Sequence, residues 1–584
     1  MKKSIILILL TALTFSLSSQ TYSFFDLNKE NPGWTMVPGG NIICPPQKTS
    51  YGYAALCEGK MYAGFTSSGK LLWQRSLRDR TSPFFTTGCG DLIWCITKSK
   101  RLNLLNPEGM LLWTKDCGFE VKENPFTGRD GRVFVRGKSA LASYSLNGTL
   151  RWKLDLKEQN LNLPLCQLND GSLLVFFTEL HEGKSTACRI SPFGEIKENI
   201  VFSGQAVFCR SLSQGVIITF TDKSAGLCSV KNGQSVSSWV FKNNTDNGIP
   251  LIAITEENND ACLIYGSRAV FINPDDGSKR REISLTGDKS INLNSIKAAE
   301  VKKNSLFLCD NSNALSINED GELSWKARLS SKTCPFIFYT ETGYLVTCTT
   351  SWSILGYRMN MGVSGKNISA QNKKTICDYS SFYPECNPSN TLTGRLLSDS
   401  QIEEAETLFK KEKKNKDRII NEAFYLSALE AELRQITQDY SVRENSHHEA
   451  SYFIQNLSYT QKIIELASYS GLNLFQKRFV HLLRKTNDPS LLLCLVTYSG
   501  NLAFDQDGEL LDAFDFLLSK IKNNDSSLLK SVCDSTFTIC RFMGKPLLLE
   551  KGKHIIARIM GGRYADETKE YARKTMEKIL ELKF

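Results

Sequence analysis

Five histidines, His181, His447, His448, His481 and His554, are the only imidazoles in the 584 residues. Apart from the neighbouring His447-His448 pair, none forms a ligand spacing within a helical turn, so no transition-metal site is expected. Asp505-Gln-Asp507-Gly-Glu509 has the acidic density of a calcium loop. It lacks the third acid before the glycine and the glutamate that closes a twelve-residue frame, so a turn between helices is expected there. No GxSxG, HExxH or phosphate-cradling glycine loop occurs, which removes the common routes to an activated nucleophile, a zinc hydroxide or a bound nucleotide. The residues predict no catalytic group, no cofactor and no enzyme.

Eighteen cysteines are the remaining reactive groups. There is no CxxC, no adjacent pair and no Cys/His zinc spacing. Most stand in strand-like contexts, such as those of Cys166, Cys309 and Cys348, where a thiol acts as a small core residue. The pair expected to form a disulfide is Cys377 with Cys386, nine apart in a turn-rich segment, and behind it Cys533 with Cys540 on a predicted helix.

Oxidation matters because the N-terminus is predicted to be a secretory signal. Met1-Lys2-Lys3 is followed by an apolar run from Ile5 to Leu17 and small polar residues from Ser18 to Ser23. That run is short for a bilayer span, and cleavage is expected after Ser19 or Ser23 with no cysteine nearby to take a lipid. No membrane span is expected after cleavage. The formal charge of +10 is spread along the chain. Its densest stretch, Lys410 to Lys416, alternates with acids as a solvated helix face does, so nucleic acid is not an expected partner.

The elements that would carry any site show a repeat. A turn glycine recurs at Gly69, Gly109, Gly148, Gly194, Gly233, Gly277 and Gly321, with spacings of 40, 39, 46, 39, 44 and 44 residues. Four positions after the glycine stand Trp73, Trp113, Trp152 and Trp325, whereas Glu198, Ser237 and Arg281 take that place in the other units. Dipeptides such as Asn147-Gly148 and Asp276-Gly277 suit tight turns of positive φ between antiparallel strands. Alternating strands precede them, as in Ala142-Ser-Tyr-Ser-Leu146 and Arg132-Val-Phe-Val-Arg136. About forty residues without a helical period is the length of a four-stranded propeller blade.

These units resemble the repeat of pyrroloquinoline-quinone-type β-propellers over roughly residues 31–358. The resemblance implies that each tryptophan docks against the next blade. Segments after Trp325 supply three further strands, and Gly33-Trp-Thr-Met-Val-Pro38 could supply the fourth. Eight blades closed by the N-terminal strand are preferred, with seven as the alternative; closure hides the sheet edges. The propeller is expected over residues 24–360, a linker over 361–397 and an α-helical domain over 398–584.

The helical part opens at Ser398 with a capping residue and early acids. Asp488-Pro-Ser-Leu-Leu492 is echoed by Asp525-Ser-Ser-Leu-Leu529, 37 positions later. This pairing resembles HEAT-like solenoid repeats, and a helical bundle is the alternative. The last helix is expected to set Ala572, Met576, Ile579 and Leu580 on one face.

Quinoprotein dehydrogenases of this repeat type use a tryptophan floor, liganded calcium and, in many members, adjacent cysteines. The tryptophans here hold the blade-docking position and no cysteines are adjacent. What remains is binding surface, with Phe84-Phe85 and Tyr379, Phe382 and Tyr383 as candidate anchors in loops. The resemblance extends to propeller subunits of the outer-membrane β-barrel assembly machinery. It implies a non-catalytic exported scaffold whose partners are envelope or outer-membrane proteins. The alternatives are a quinoprotein-type dehydrogenase and a carbohydrate-binding propeller.

Overall fold

The computed structural model describes residues 22–359 and 396–582, apart from 243–250, 255–260, 266–267, 286–295, 297, 303–304, 319–320, 331–332, 341, 411–417, 444–456 and 522–524. Cys377, Cys386, Tyr379, Phe382, Tyr383, His447 and His448 lie outside the described residues.

Eight sheets of consecutive antiparallel strands occupy residues 47–76, 81–116, 126–155, 166–201, 206–241, 251–284, 298–328 and 333–358. They are blades 1 to 8 of a β-propeller. The first strands of successive blades pack against each other and so line the axis. Blade 8 supplies only three strands of its own, and Trp34–Met36 adds the outer one, with Trp34 opposite Gly356 and Met36 opposite Ile354. The ring therefore closes through the N-terminal segment, as expected. A strand not foreseen, Ser23–Asp26, lies parallel to the outer strand of blade 7, pairing Ser23 with Trp325 and Asp26 with Arg328.

At five junctions the turn glycine lies under the indole of the preceding blade. Built onto Gly194, whose φ is +86°, a Cβ would lie 2.6 Å from the Trp152 ring. Any side chain is thus barred twice, by the left-handed backbone and by the ring beneath it. The Trp152 Nε1 also donates to the Pro192 carbonyl at 2.8 Å. The same contact recurs for Trp34 under Gly69, Trp73 under Gly109, Trp113 under Gly148 and Trp239 under Gly277. The departures have local reasons. In blade 5 both hairpin strands are longer, so Trp239 docks and Ser237 does not. In blade 6 Ile283 reaches Gly321, while Arg281 lies over Phe271 in its own blade, 4.1 Å from the ring centre. At the blade 4–5 junction Glu198 stands in the tryptophan position. It accepts from the Ser235 amide at 2.9 Å and pairs with Arg189 at 2.8 Å. Trp325 faces blade 8, which has no such hairpin, and packs on Tyr339 at 5.3 Å.

Nine α-helices follow among the described residues: α1 (Asp399–Lys410), α2 (Arg418–Arg443), α3 (Leu457–Tyr469), α4 (Gln476–Lys485), α5 (Pro489–Leu502), α6 (Glu509–Lys520), α7 (Ser526–Met543), α8 (Pro546–Gly561) and α9 (Asp566–Glu581). The odd-numbered helices pack one on the next as a layer, and the even-numbered helices form a second layer against it. Capping follows the sequence closely. Ser398 and Gln401 exchange hydrogen bonds across the first turn of α1, a capping box. Asp488 accepts from Leu491 N at 2.9 Å and Asp525 from Leu528 N at 3.0 Å, so the echoed motifs open neighbouring helices of one layer.

Three expectations need correction. Phe84-Phe85 lies in the strand Thr81–Thr87, with Phe85 fully buried, because the alternation continues through it. Leu580 is exposed, since it follows Ile579 by 100° around α9 and leaves the face of Ala572. Cys533 and Cys540 share α7, where seven residues of rise separate them by about 10 Å, beyond the reach of a disulfide.

Candidate interaction surfaces

Strands alternate in direction, so the turns joining first to second and third to fourth strands emerge at one end of the propeller, called here the hairpin end. The helical domain stands on that end over blades 2 to 4. Its contact edge is made of the turns that lead from odd to even helices. At the α3–α4 turn the Gly471 carbonyl accepts from Leu146 N at 3.2 Å, and the Tyr469 carbonyl accepts from Asn147 Nδ2 at 3.4 Å. At the end of α7 the Arg541 carbonyl accepts from Asn106 Nδ2 at 2.7 Å. Lys545, which opens α8, lies 3.8 Å from Asp91. Met543 and Phe504 close over Gly90. One hydrophobic cluster runs without a break from Leu92, Trp94, Val133 and Phe193 of the propeller to Phe409, Leu429, Phe475 and Met543 of the helices.

Charge is buried inside this apolar joint. Arg132 and Arg151 project from blade 3 and are fully enclosed, and Glu422 of α2 lies between them at 3.6 and 3.7 Å. Asp130 pairs with Arg132 Nε at 2.9 Å, and the Pro192 carbonyl accepts from Arg132 Nη1 at 2.7 Å. Phe193 and Phe409 cover the two guanidinium groups at 4.8 and 5.5 Å. Removing one partner from such a set leaves uncompensated charge in a dry site, so the cluster fixes where the helices sit. Elsewhere in the joint Glu108, in the blade 2 hairpin, is buried against Gly544, and its carboxyl oxygens find no hydrogen-bond partner among the described residues. Burial pushes that carboxyl up to about 8. Asp505 caps α6 through Leu510 N and Leu511 N at 3.2 and 3.1 Å, and burial pushes it up to about 6. The Asp505–Glu509 stretch is therefore the helix-connecting turn that was expected.

Two open surfaces stand out among the described residues. At the opposite end of the propeller the blade 8 turn carries Trp352, 56% exposed at a φ of +64°. Lys100 and Lys223 hold the equivalent strained position in blades 2 and 5. The strand pairing that ends at Met36 and Ile354 brings Val37, also exposed, alongside that turn. The second surface is a groove of about 770 Å³ across α1, α3 and α5. Asp399, Glu403 and Glu406 form one wall and Leu493, Thr497 and Tyr498 another. Lys462 bridges Glu406 and Glu465 at 2.8 and 3.0 Å, and hydrogen bonds from Lys410 and Lys462 hold the Glu406 carboxyl at about 2.

No group of three or more metal-ligating side chains occurs among the described residues. The blade glycines and tryptophans singled out in the sequence are ring-building residues. The joint residues were missed: Arg132 read as one end of a strand, Asn147 as a turn former, and nothing in the local pattern pointed to Glu422.

Solved structures similar to this chain include BamB from Moraxella catarrhalis, at 11% identity over 56% of this chain and 99% of that one, with a TM-score of 0.40. Sqt1 from Saccharomyces cerevisiae matches at 11% identity over 58% and 96%, with a TM-score of 0.39. No curated protein matches the chain. Residues 58–191, from blade 1 to the third strand of blade 4, match the family model described as outer membrane protein assembly factor BamB, and in that stretch the chain is similar to that family.

Proposed function

We propose that this chain is an exported, non-catalytic scaffold for protein–protein interaction in the cell envelope, acting in the assembly of envelope or outer-membrane proteins. The observation that carries the reading is the seating of the helical domain. It seals the hairpin end over blades 2 to 4 and leaves the opposite end, with Trp352 and Val37, as a rigid face open to a partner. A large aromatic side chain held exposed in a left-handed turn is unfavourable for the isolated chain and suits an anchor that a partner covers. The family match over residues 58–191 supports the assembly context, and the signal-like N-terminus supports export. No helix of the described residues is long and apolar enough to cross a membrane.

The test places a photo-crosslinking amino acid at position 352 and, as a control, at exposed Phe516 on α6. Expected is a discrete adduct with an envelope protein from position 352 only. No adduct, or the same adducts from both positions, would remove the basis for this face as the docking site. Dye reduction by the chain after reconstitution with quinone and calcium would overturn the non-catalytic reading.

A further inference from the structure

The junction between blades 4 and 5 lacks the indole that clasps its neighbours, and it is there that two thiols meet. Cys166, on the first strand of blade 4, and Cys209, on the first strand of blade 5, have Sγ atoms 3.6 Å apart. Both are buried, at 2% and 5% exposure, in the core that the two blades share. Their backbones are already side by side: Gln167 N donates to Ser211 Oγ at 2.8 Å, and the Cys209 thiol donates to the Pro164 carbonyl at 3.5 Å. Other buried cysteines direct their sulphur to backbone carbonyls, as Cys57 does to Pro38, Cys494 to Gln461 and Cys540 to Leu548. Closing 3.6 Å to a bond of about 2 Å is a small movement between two first strands that pack side by side.

We propose that Cys166 and Cys209 form a disulfide that staples blade 4 to blade 5, replacing the tryptophan clasp. The two thiols lose two protons and two electrons to an external disulfide, protein-borne or small, by exchange. An S–S bond forms between Cys166 and Cys209, and the external S–S bond breaks into two thiols. The bond is inserted before the blades close on each other, because the finished core admits no oxidant. There, the hydrogen bond with Cys166 and burial hold the Cys209 thiol well above its ordinary range, so the attacking thiolate is scarce. The link spans 43 residues, a loop long enough to restrict the unfolded chain substantially.

This pairing goes beyond the scaffold reading and does not depend on export, because it can be tested in one tube. The full chain is synthesised in a cell-free mixture buffered by oxidised and reduced glutathione. The soluble product is alkylated in denaturant and digested with trypsin without reduction. Residues 158–184 and 198–210 each carry one cysteine, so the expected result is these two peptides linked. The link is expected to be absent from Cys166→Ser and Cys209→Ser. The oxidised chain is also expected to melt several degrees above its dithiothreitol-treated form, a shift that Cys166→Ala/Cys209→Ala abolishes. Both peptides recovered alkylated from soluble chain, or either one linked to another cysteine such as Cys188, would overturn the proposal.

Discussion

Blades 2 to 4 and blades 5 to 7 are built from the same repeat yet meet different surroundings. In blades 2 and 3 the hairpin residues Asn106 and Asn147 spend their side-chain amides on carbonyls of the helical domain. In blades 5 and 6 the equivalent turns, Asn232-Gly233 and Asp276-Gly277, have exposed leading residues. The junctions differ among themselves as well. Tryptophan clasps join blades 2 to 3, 3 to 4 and 5 to 6, whereas Glu198 and Arg189 of blade 4 meet the Ser235 amide and the Gly233 carbonyl of blade 5, and an isoleucine joins blades 6 to 7. The lesson is that the repeat makes a ring, and departures from it show where the ring is held by something else.

The largest expected effect is at the clasps. Trp152→Ala empties the space beneath Gly194 and is expected to cost about 3–5 kcal/mol of unfolding free energy, measured by denaturant titration. Its counterpart at the blade 4–5 junction, Glu198→Ala, should cost far less.

Glu422→Ala comes next, leaving Arg132 and Arg151 buried without their shared carboxylate at a cost of about 3 kcal/mol. Because the loss falls on the joint, unfolding is expected to split into two transitions, with the helices released first. A single shifted transition would mean that the joint is not where the two parts separate.

The third prediction concerns pH. Glu108 keeps its proton in the folded chain up to about 8, above the ordinary value of 4.5. The unfolded chain ionises above 4.5 while the folded chain stays protonated, so stability is full below that value and falls as pH rises toward 8. Glu108→Gln removes this slope. The melting temperature of the variant minus that of the natural chain should therefore grow between pH 5 and 8, and a constant difference would contradict the burial.

Smallest is Glu198→Ala itself. Glu198 is part-exposed, so its loss is expected to cost about 1 kcal/mol or less in reduced chain. The cost should be similar or smaller in oxidised chain if the Cys166–Cys209 link shares the load.

Most of the ring was legible, because a turn of positive φ and a docked indole impose residue types at fixed spacing. Gly69 to Gly321 marked the hairpins, and Trp34 marked the closing strand. Where packing rather than turn chemistry decides, the pattern was silent or misleading. Trp239 serves its junction from a longer hairpin and so broke the spacing, and Phe85, read as a loop residue, belongs to a buried strand. Glu422 and Arg132 are 290 positions apart, and no local period connects an acid on a helix to a base on a strand. The two thiols were hidden for the same reason, each being one small residue in its own strand.

The central claim, that the helical domain stands on the hairpin end of blades 2 to 4, is tested most directly by zero-length carbodiimide cross-linking of the intact chain. The expected result is a covalent amide between Lys545 and Asp91, 3.8 Å apart, lost in Lys545→Gln. Lysines of the helical domain joined instead to acids at the other end of the propeller, such as Glu58 or Asp79, would contradict it.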